Sequence, residues 1–167
     1  MIIVDELNEK GATAETILQI LKTSVFEASG DLSPDEMLAT LRSAARDNAT
    51  VDKALSELRA DPELISEIAL LWIAEASEAD ATREVIAGAV ADADREMPLL
   101  EIGALTLIAL YAIYRMTPPS PRKTKFKRLR RLPDGSFEQV EKETEFDDFS
   151  APVKGLMGIF SKAGRDG

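Results

Sequence analysis

The sequence contains neither cysteine nor histidine. Without cysteine the chain can form no disulfide, no thiolate metal site and no thiol nucleophile. Without histidine it has no imidazole base, and a Ser-His-Asp triad is excluded with it. One Trp and two Tyr offer few rings for stacking a sugar substrate. These absences remove most of the side chains that carry enzymatic and cofactor chemistry.

The remaining residues form no recognisable reactive motif. The sequence has no glycine-rich phosphate loop and no dinucleotide fingerprint, because Gly155 and Gly158 lack the strand-turn-helix context that such motifs require. No pair of carboxylates stands out from the many acidic side chains. We therefore predict a protein that is not an enzyme and that uses no metal and no cofactor.

The charge of the chain is distributed very unevenly. The formal net charge is −10, but residues 1–100 carry 21 acidic and 8 basic side chains. Residues 115–131 carry 8 basic and no acidic side chains, and residues 134–148 carry 7 acidic side chains against Lys142 alone. This change follows a proline-rich stretch at 118–121, which is typical of a boundary between modules. We predict an acidic helical bundle over residues 1–117 and a C-terminal arm over residues 118–167.

The body shows the spacing and the start signals of helices. Ser33, Pro34 and Glu36 form a capping box with proline at the first helical position, and Asp61-Pro62 repeats a cap followed by proline. The predicted fold class is mainly α: a compact antiparallel bundle of about six helices, followed by a two-stranded β-hairpin and a short terminal helix. The six predicted helices run from Thr13 to Gly30, from Pro34 to Asp47, from Thr50, from Pro62, from Ala81 to Glu96 and from Leu99 to Met116.

The last of these helices has two interpretations. Its uncharged run, residues 102–114, is 13 residues long, whereas a bilayer core needs about 20, so the length favours a buried helix. Tyr111, Tyr114 and the basic residues that follow favour contact with a membrane instead, because aromatic and basic residues flank membrane helices. We give the length of the apolar run more weight than its flanking residues. We therefore predict a core helix, with membrane contact through residues 99–116 as the alternative.

The arm contains a predicted hairpin, with strands Lys123–Leu132 and Ser136–Phe146 around Pro133-Asp134-Gly135. A three-residue loop places Lys123 opposite Glu145, Lys125 opposite Glu143, Lys127 opposite Glu141 and Arg130 opposite Glu138. A two-residue loop gives fewer opposite-charge pairs and one like-charge pair, so cross-strand electrostatics select the longer loop. We predict a type I turn with a bulge at Gly135.

Two sets of residues in the arm are candidates for binding. The apolar set is expected to contact the bundle or a partner, with its last four members on one face of a terminal helix: Phe126, Leu129, Leu132, Phe137, Val140, Val153, Leu156, Met157 and Phe160. The basic set either binds anionic headgroups or phosphates or is neutralised by the acidic strand, and we favour neutralisation. Its members are Arg122, Lys123, Lys125, Lys127, Arg128, Arg130 and Arg131.

The sequence therefore favours an interaction or assembly protein whose arm docks on another protein or on a second copy of the chain, forming a homo-oligomer. The alternative is a membrane-associated effector in which helix 99–116 inserts and the basic segment 122–131 binds anionic headgroups. The net charge disfavours nucleic acid as a partner. Residues 1–6 do not resemble a secretory signal, so we expect a cytoplasmic location, with membrane association as the alternative.

Overall fold

A computed structural model describes residues 3–30, 32–45, 47–80, 82–92, 102–118, 124–139 and 144–160. Within these ranges the chain is mainly helical and ends in a small antiparallel hairpin and a short helix, which confirms the predicted fold class. The helices are α1 (Ile3–Lys10), α2 (Ala14–Ala28), α3 (Pro34–Ala44), α4 (Asn48–Ala60), α5 (Pro62–Glu78), α6 (Arg83–Asp92), α7 (Ile102–Met116) and α8 (Ala151–Phe160). The strands are β1 (Lys125–Phe126), β2 (Leu129–Arg131), β3 (Phe137–Gln139) and β4 (Thr144–Glu145), and a 3₁₀ helix spans Phe146–Asp148.

The start signals read from the sequence act as predicted in α3 and α5. The Ser33 hydroxyl accepts a hydrogen bond from the Glu36 N–H at 3.2 Å, and the Glu36 carboxylate accepts one from the Ser33 N–H at 3.2 Å. The Asp61 carboxylate accepts from the Leu64 N–H at 3.3 Å, directly before Pro62. These bonds satisfy backbone donors that have no partner inside the helix.

Two helix boundaries differ from the prediction for one reason. The Asp47 carboxylate accepts from the Thr50 N–H at 2.7 Å and from the Thr50 hydroxyl at 2.8 Å. Asp47 is therefore the cap of α4, so α4 begins at Asn48 and α3 ends earlier than predicted, at Ala44. The predicted end of the helix that starts at Ala81, residues 93–96, lies outside the described residues, and so does the predicted start of the last helix at Leu99.

The eight-residue helix α1 was not predicted. It is too short to show a long periodic pattern, and only Val4 and Leu7 are buried. Isolated helices of this length are marginal in water, so packing against the rest of the chain stabilises it. Its strongest contacts are with β3 and α6.

Helix α7 lies in the middle of the fold. Ala109, Leu110, Ala112 and Ile113 have no exposed surface, and α7 contacts α2, α3, α4, α5 and α8. The apolar run 102–114 is thus a core helix, as its length predicts. Over the ranges given above, no helix combines the length and the apolar character needed to cross a bilayer.

A buried hydrogen bond joins α2 to α5. The Trp72 indole N–H donates to the Ser24 hydroxyl oxygen at 2.8 Å, and the Ser24 hydroxyl donates to the Ile20 carbonyl. Ser24 is fully buried and Trp72 is 5% exposed. The serine therefore satisfies a donor that would otherwise be desolvated without a partner.

Replacing Ser24 by alanine should lower the free energy of unfolding by about 1–3 kcal/mol, because the Trp72 N–H loses its acceptor inside the core. Urea unfolding followed by circular dichroism measures this change. Ser77→Ala is the matched control, since the Ser77 hydroxyl also bonds a carbonyl one turn back but accepts from no indole. Equal losses in the two variants would contradict the role assigned to the Trp72–Ser24 bond.

Candidate interaction site

The hairpin of the arm is closed by the loop that the sequence predicts. The Leu132 N–H donates to the Ser136 carbonyl at 2.7 Å, and the Gly135 N–H donates to the Leu132 carbonyl at 2.9 Å. Gly135 has a φ of +91°, in the region that glycine adopts without strain. Arg130 lies opposite Glu138 and forms an ion pair with it. The three-residue loop and this charge pair are confirmed.

The outer part of the hairpin differs from the prediction. Lys125 lies opposite Glu145, not Glu143, and Phe126 lies opposite Thr144. Two residues separate β1 from β2, but four separate β3 from β4, so the ladder consists of two separate pieces rather than one. The predicted Lys123–Glu145 pair is wrong as well, because Glu145 lies opposite Lys125. The predicted Lys127–Glu141 pair involves Glu141, which lies outside the described residues.

Packing explains the shifted register. Phe126 is 2% exposed, and its ring lies 4.9 Å from that of Phe149, centroid to centroid. Burying one such ring contributes about 1.5–3 kcal/mol, whereas one cross-strand charge pair contributes about 0.2–1 kcal/mol. The register that buries the aromatic side chains therefore outweighs the register that maximises charge pairs.

Most of the predicted apolar contact residues belong to the chain's own core. Leu132 is half-buried, and Phe160 is half-buried with its ring edge-on to Tyr114 at 5.4 Å. Val140 lies outside the described residues. The remaining six are buried in the same cluster as the helical body: Phe126, Leu129, Phe137, Val153, Leu156 and Met157. The terminal helix α8 thus docks on the body, mainly on α7 and α5.

Sequence reasoning missed Phe146 and Phe149, which are both buried in this cluster. They lie at the end of the acidic run, where charge dominated the interpretation. The available signal was the presence of two aromatic residues three apart, which places them near one another in a turn of helix.

The helix α5 also holds the arm through polar contacts along one face. Its carboxylates Glu67, Glu75 and Glu78 accept hydrogen bonds from three separate parts of the arm. The donors are the Ser150 hydroxyl at 3.3 Å, the Lys127 backbone N–H, and the Gln139 side-chain amide at 3.4 Å. None of these contacts had a signal in the local sequence, because each joins residues far apart in the chain.

The side chain of Asn8 in α1 bonds the outer edge of β3. Its amide nitrogen donates to the Phe137 carbonyl at 2.8 Å, and its amide oxygen accepts from the Phe137 N–H at 2.6 Å. Both backbone groups of Phe137 therefore point away from β2. A single asparagine side chain thus replaces the next strand at this position.

The predicted basic patch is divided among different surroundings. Lys125 is exposed opposite Glu145, Lys127 is half-buried and donates its N–H to Glu75, and Arg131 lies 6.0 Å from the centre of the Phe137 ring. Arg130 pairs with Glu138, as described above. Arg122 and Lys123 lie outside the described residues. Arg128, Arg130 and Arg131 line one groove together, whereas Lys125 and Lys127 do not line it.

Arg128 contributes to a groove between β2 and α5. The groove has a volume of about 270 Å³. Its floor and walls include apolar side chains from α5, β2, α8 and the segment leading into α8, with Glu63 and Glu67 on the α5 side. The apolar lining comprises Leu70, Leu71, Leu129, Phe149 and Val153, and Arg128, Arg130 and Arg131 form the basic side.

The edge of β2 that faces this groove presents backbone N–H and C=O groups that can form hydrogen bonds. In an antiparallel pair, the N–H and C=O of one residue both point to the same edge of its strand, and those of the next residue both point to the other edge. Because Phe137 points both of its groups outward, its partner Arg131 does the same on the other edge, and so does Leu129 two residues earlier. Throughout the described chain, no hydrogen bond to the backbone of Leu129 or Arg131 is present.

The turn of the hairpin contains a carboxylate with a perturbed pKa. The Asp134 carboxylate accepts hydrogen bonds from the Ser136 hydroxyl at 2.6 Å and from the Ser136 N–H at 2.9 Å. The side-chain bond lowers the pKa of Asp134 below its ordinary value of 3.8, and the backbone bond lowers it further. The ionised carboxylate therefore supports the turn.

Comparisons with protein-family models, with curated proteins and with solved structures found no match to this chain. Among the residues that the structure describes, no group of three or more acidic side chains is close enough to hold a metal ion. The site is therefore interpreted from its own geometry.

Changing Asn8 to aspartate should destabilise the docked hairpin by about 1 kcal/mol, because a carboxylate cannot donate to the Phe137 carbonyl. The free energy of unfolding in urea reports this loss, while the Phe137 N–H keeps a side-chain oxygen of residue 8 as its acceptor. Asn48→Asp is the control with the same chemical change; at the start of α4 a negative charge is favourable. An unchanged free energy of unfolding in the Asn8 variant would contradict the assignment.

Replacing Ser136 by alanine should raise the pKa of Asp134 toward 3.8, because its largest cause of depression is lost. In the native protein the stabilisation from this carboxylate is present above pH 3.8 and disappears as the pH falls through the lower folded pKa. NMR titration of the Asp134 carboxyl carbon measures the pKa directly. Ser56→Ala, far along the chain in α4, should leave that titration unchanged. An unaltered Asp134 pKa in the Ser136 variant would show that the side-chain hydrogen bond is not its cause.

Proposed function

We propose that this protein is a non-catalytic interaction protein and that the groove between α5 and β2 receives a segment of a partner protein. The observation that carries the proposal is the combination of an apolar floor with a strand edge whose backbone groups have no partner among the described residues. Strand edges of this kind pair with extended peptides in many recognition domains. The arm keeps its expected role in binding, but through β2 rather than through its apolar side chains.

The burial of the arm supports binding through the edge of β2 instead of through the apolar side chains of the arm. Six of the nine apolar residues predicted to make contacts lie inside the core, so they are not available to a partner. Among the described residues, the surface of the arm includes the basic edge of β2 and the groove beside it. A partner that docks there contacts the arm and the body together.

The membrane alternative receives less support. Insertion would require α7 to leave the core, where Ala109, Leu110, Ala112 and Ile113 are fully buried and five other helices touch it. Removing that helix would expose the apolar faces of α2 and α5 as well. Burial of each Leu or Ile side chain contributes about 1.5–3 kcal/mol, so the cost of withdrawing the helix is large.

Photo-crosslinking in cells of the native host tests the proposed function on the full-length chain. Benzoylphenylalanine is introduced in place of Glu63 or Arg128, which line the groove. Control positions are Ser43 and Lys53, which are exposed on α3 and α4. We expect discrete crosslinked products with another protein from the groove positions only.

Two results would contradict the proposal. The first is the absence of a protein product at both groove positions, or the same products at groove and control positions. The second is co-sedimentation of the purified full-length chain with phosphatidylserine vesicles when no protein crosslink forms, which would support the membrane alternative. Truncation before residue 118 is unsuitable here, because it removes eight buried side chains from the core.

A further inference from the structure

The two edges of the hairpin differ in their hydrogen bonds to the rest of the chain. On β3, the Asn8 side chain satisfies both outward-pointing groups of Phe137. On β2, the corresponding groups of Arg131 and Leu129 face the groove and receive no hydrogen bond from the described chain. The groove of about 270 Å³ provides space beside them. One edge is therefore closed by the fold at Phe137. On the other side Glu75 accepts from the Lys127 N–H, and the groups of Leu129 and Arg131 beyond it are open to an added strand.

The side chains of β2 determine what such a strand carries. Leu129 is 2% exposed and faces the core, whereas Arg130, and Arg128 just before β2, alternate with it and lie on the opposite face. Arg131 shares the face of Leu129, and its guanidinium lies over the Phe137 ring. In antiparallel pairing, residues directly opposite each other share a face. A strand added to β2 thus places apolar side chains beside Leu129 and acidic side chains beside Arg128 and Arg130.

A second copy of the chain is a poor occupant of this edge. Antiparallel pairing of two β2 strands would bring arginine side chains together, and like charges directly opposite each other destabilise a sheet. Basic side chains on an edge strand commonly prevent this kind of self-pairing. Charge complementarity therefore selects a different partner with acidic residues.

We infer that the β2 edge binds an extended peptide of a partner protein in which acidic and apolar residues alternate, adding it to the hairpin as an antiparallel strand. The inference rests on the proposed interaction function and specifies its partner. The backbone N–H groups of the apolar peptide residues donate to the carbonyls of Leu129 and Arg131, and their carbonyls accept from the N–H groups of the same two residues. Its acidic residues lie beside Arg128 and Arg130, and Glu63 and Glu67 on the opposite wall disfavour acidic residues on the apolar face.

Titration of the full-length protein with fluorescein-labelled peptides tests this inference. The probe is an eight-residue peptide that alternates Glu and Val, followed by fluorescence anisotropy. N-methylation of the two central Val residues removes the donors that would bond β2, and N-methylation of the two central Glu residues removes donors that point the other way. We expect Val methylation to weaken binding at least about tenfold and Glu methylation to weaken it much less.

Charge is tested with a peptide that alternates Lys and Val and with a protein variant. The Lys peptide should bind at least about tenfold more weakly than the Glu peptide. Arg128→Ala should weaken binding of the Glu peptide several-fold, whereas Arg59→Ala, an exposed arginine on α4, should leave it unchanged. Circular dichroism of both variants checks that they are folded.

The outcomes separate this inference from the proposed function. Equal effects of Val and Glu methylation, equal affinity for the Lys peptide, or no binding of the Glu peptide up to about 1 mM would overturn strand addition. Discrete crosslinks from Glu63 or Arg128 with any of those results would leave the interaction function standing with another kind of partner. Peptide binding that behaves as expected, without any such crosslink in cells, would instead count against the interaction function.

Discussion

The packing of α7 against α5 and α2 is the contact on which the rest of the structure depends. It buries an almost entirely apolar helix and holds α5 in the centre of the fold. Helix α5 then presents Glu67, Glu75 and Glu78 along its outer face, where they accept hydrogen bonds from the arm. The groove lies along α5, and the hairpin and the terminal helix both contact α5, with further contacts from α1 to the hairpin and from α7 to the terminal helix. Loss of the α5–α7 contact would therefore remove the candidate site together with the core.

The helical body was largely predictable from the sequence because its determinants are local. A capping box at Ser33, a cap at Asp61 and proline at the first helical position each fix a helix start within four residues. The apolar run 102–114 predicted a core helix through its length alone. The error at Thr50 has the same local origin, since Asp47, not Thr50, accepts the capping hydrogen bonds.

The arm was predictable only in part, because its geometry depends on contacts across the chain. The loop around Gly135 and the Arg130–Glu138 pair follow from turn chemistry and from charges close in sequence. The outer register does not, since it is set by the burial of Phe126 against Phe149. The Asn8–Phe137 bonds join residues 129 positions apart, and no local sequence pattern predicts them. The open edge of β2 could be recognised only after the partner of β3 was known.

The formal charge of −10 says little about this site, because charges in a groove act over short distances. At physiological ionic strength, interactions between exposed charges are screened beyond about 8 Å. A segment inside the groove therefore responds to the arginines of β2 on one side and to Glu63 and Glu67 on the other, more than to the acidic body as a whole. A purely acidic segment meets repulsion from the α5 wall, and a purely basic one meets repulsion from β2. The apolar floor between these walls favours a segment whose charges lie on one face only, and an extended strand with alternating residues has that property.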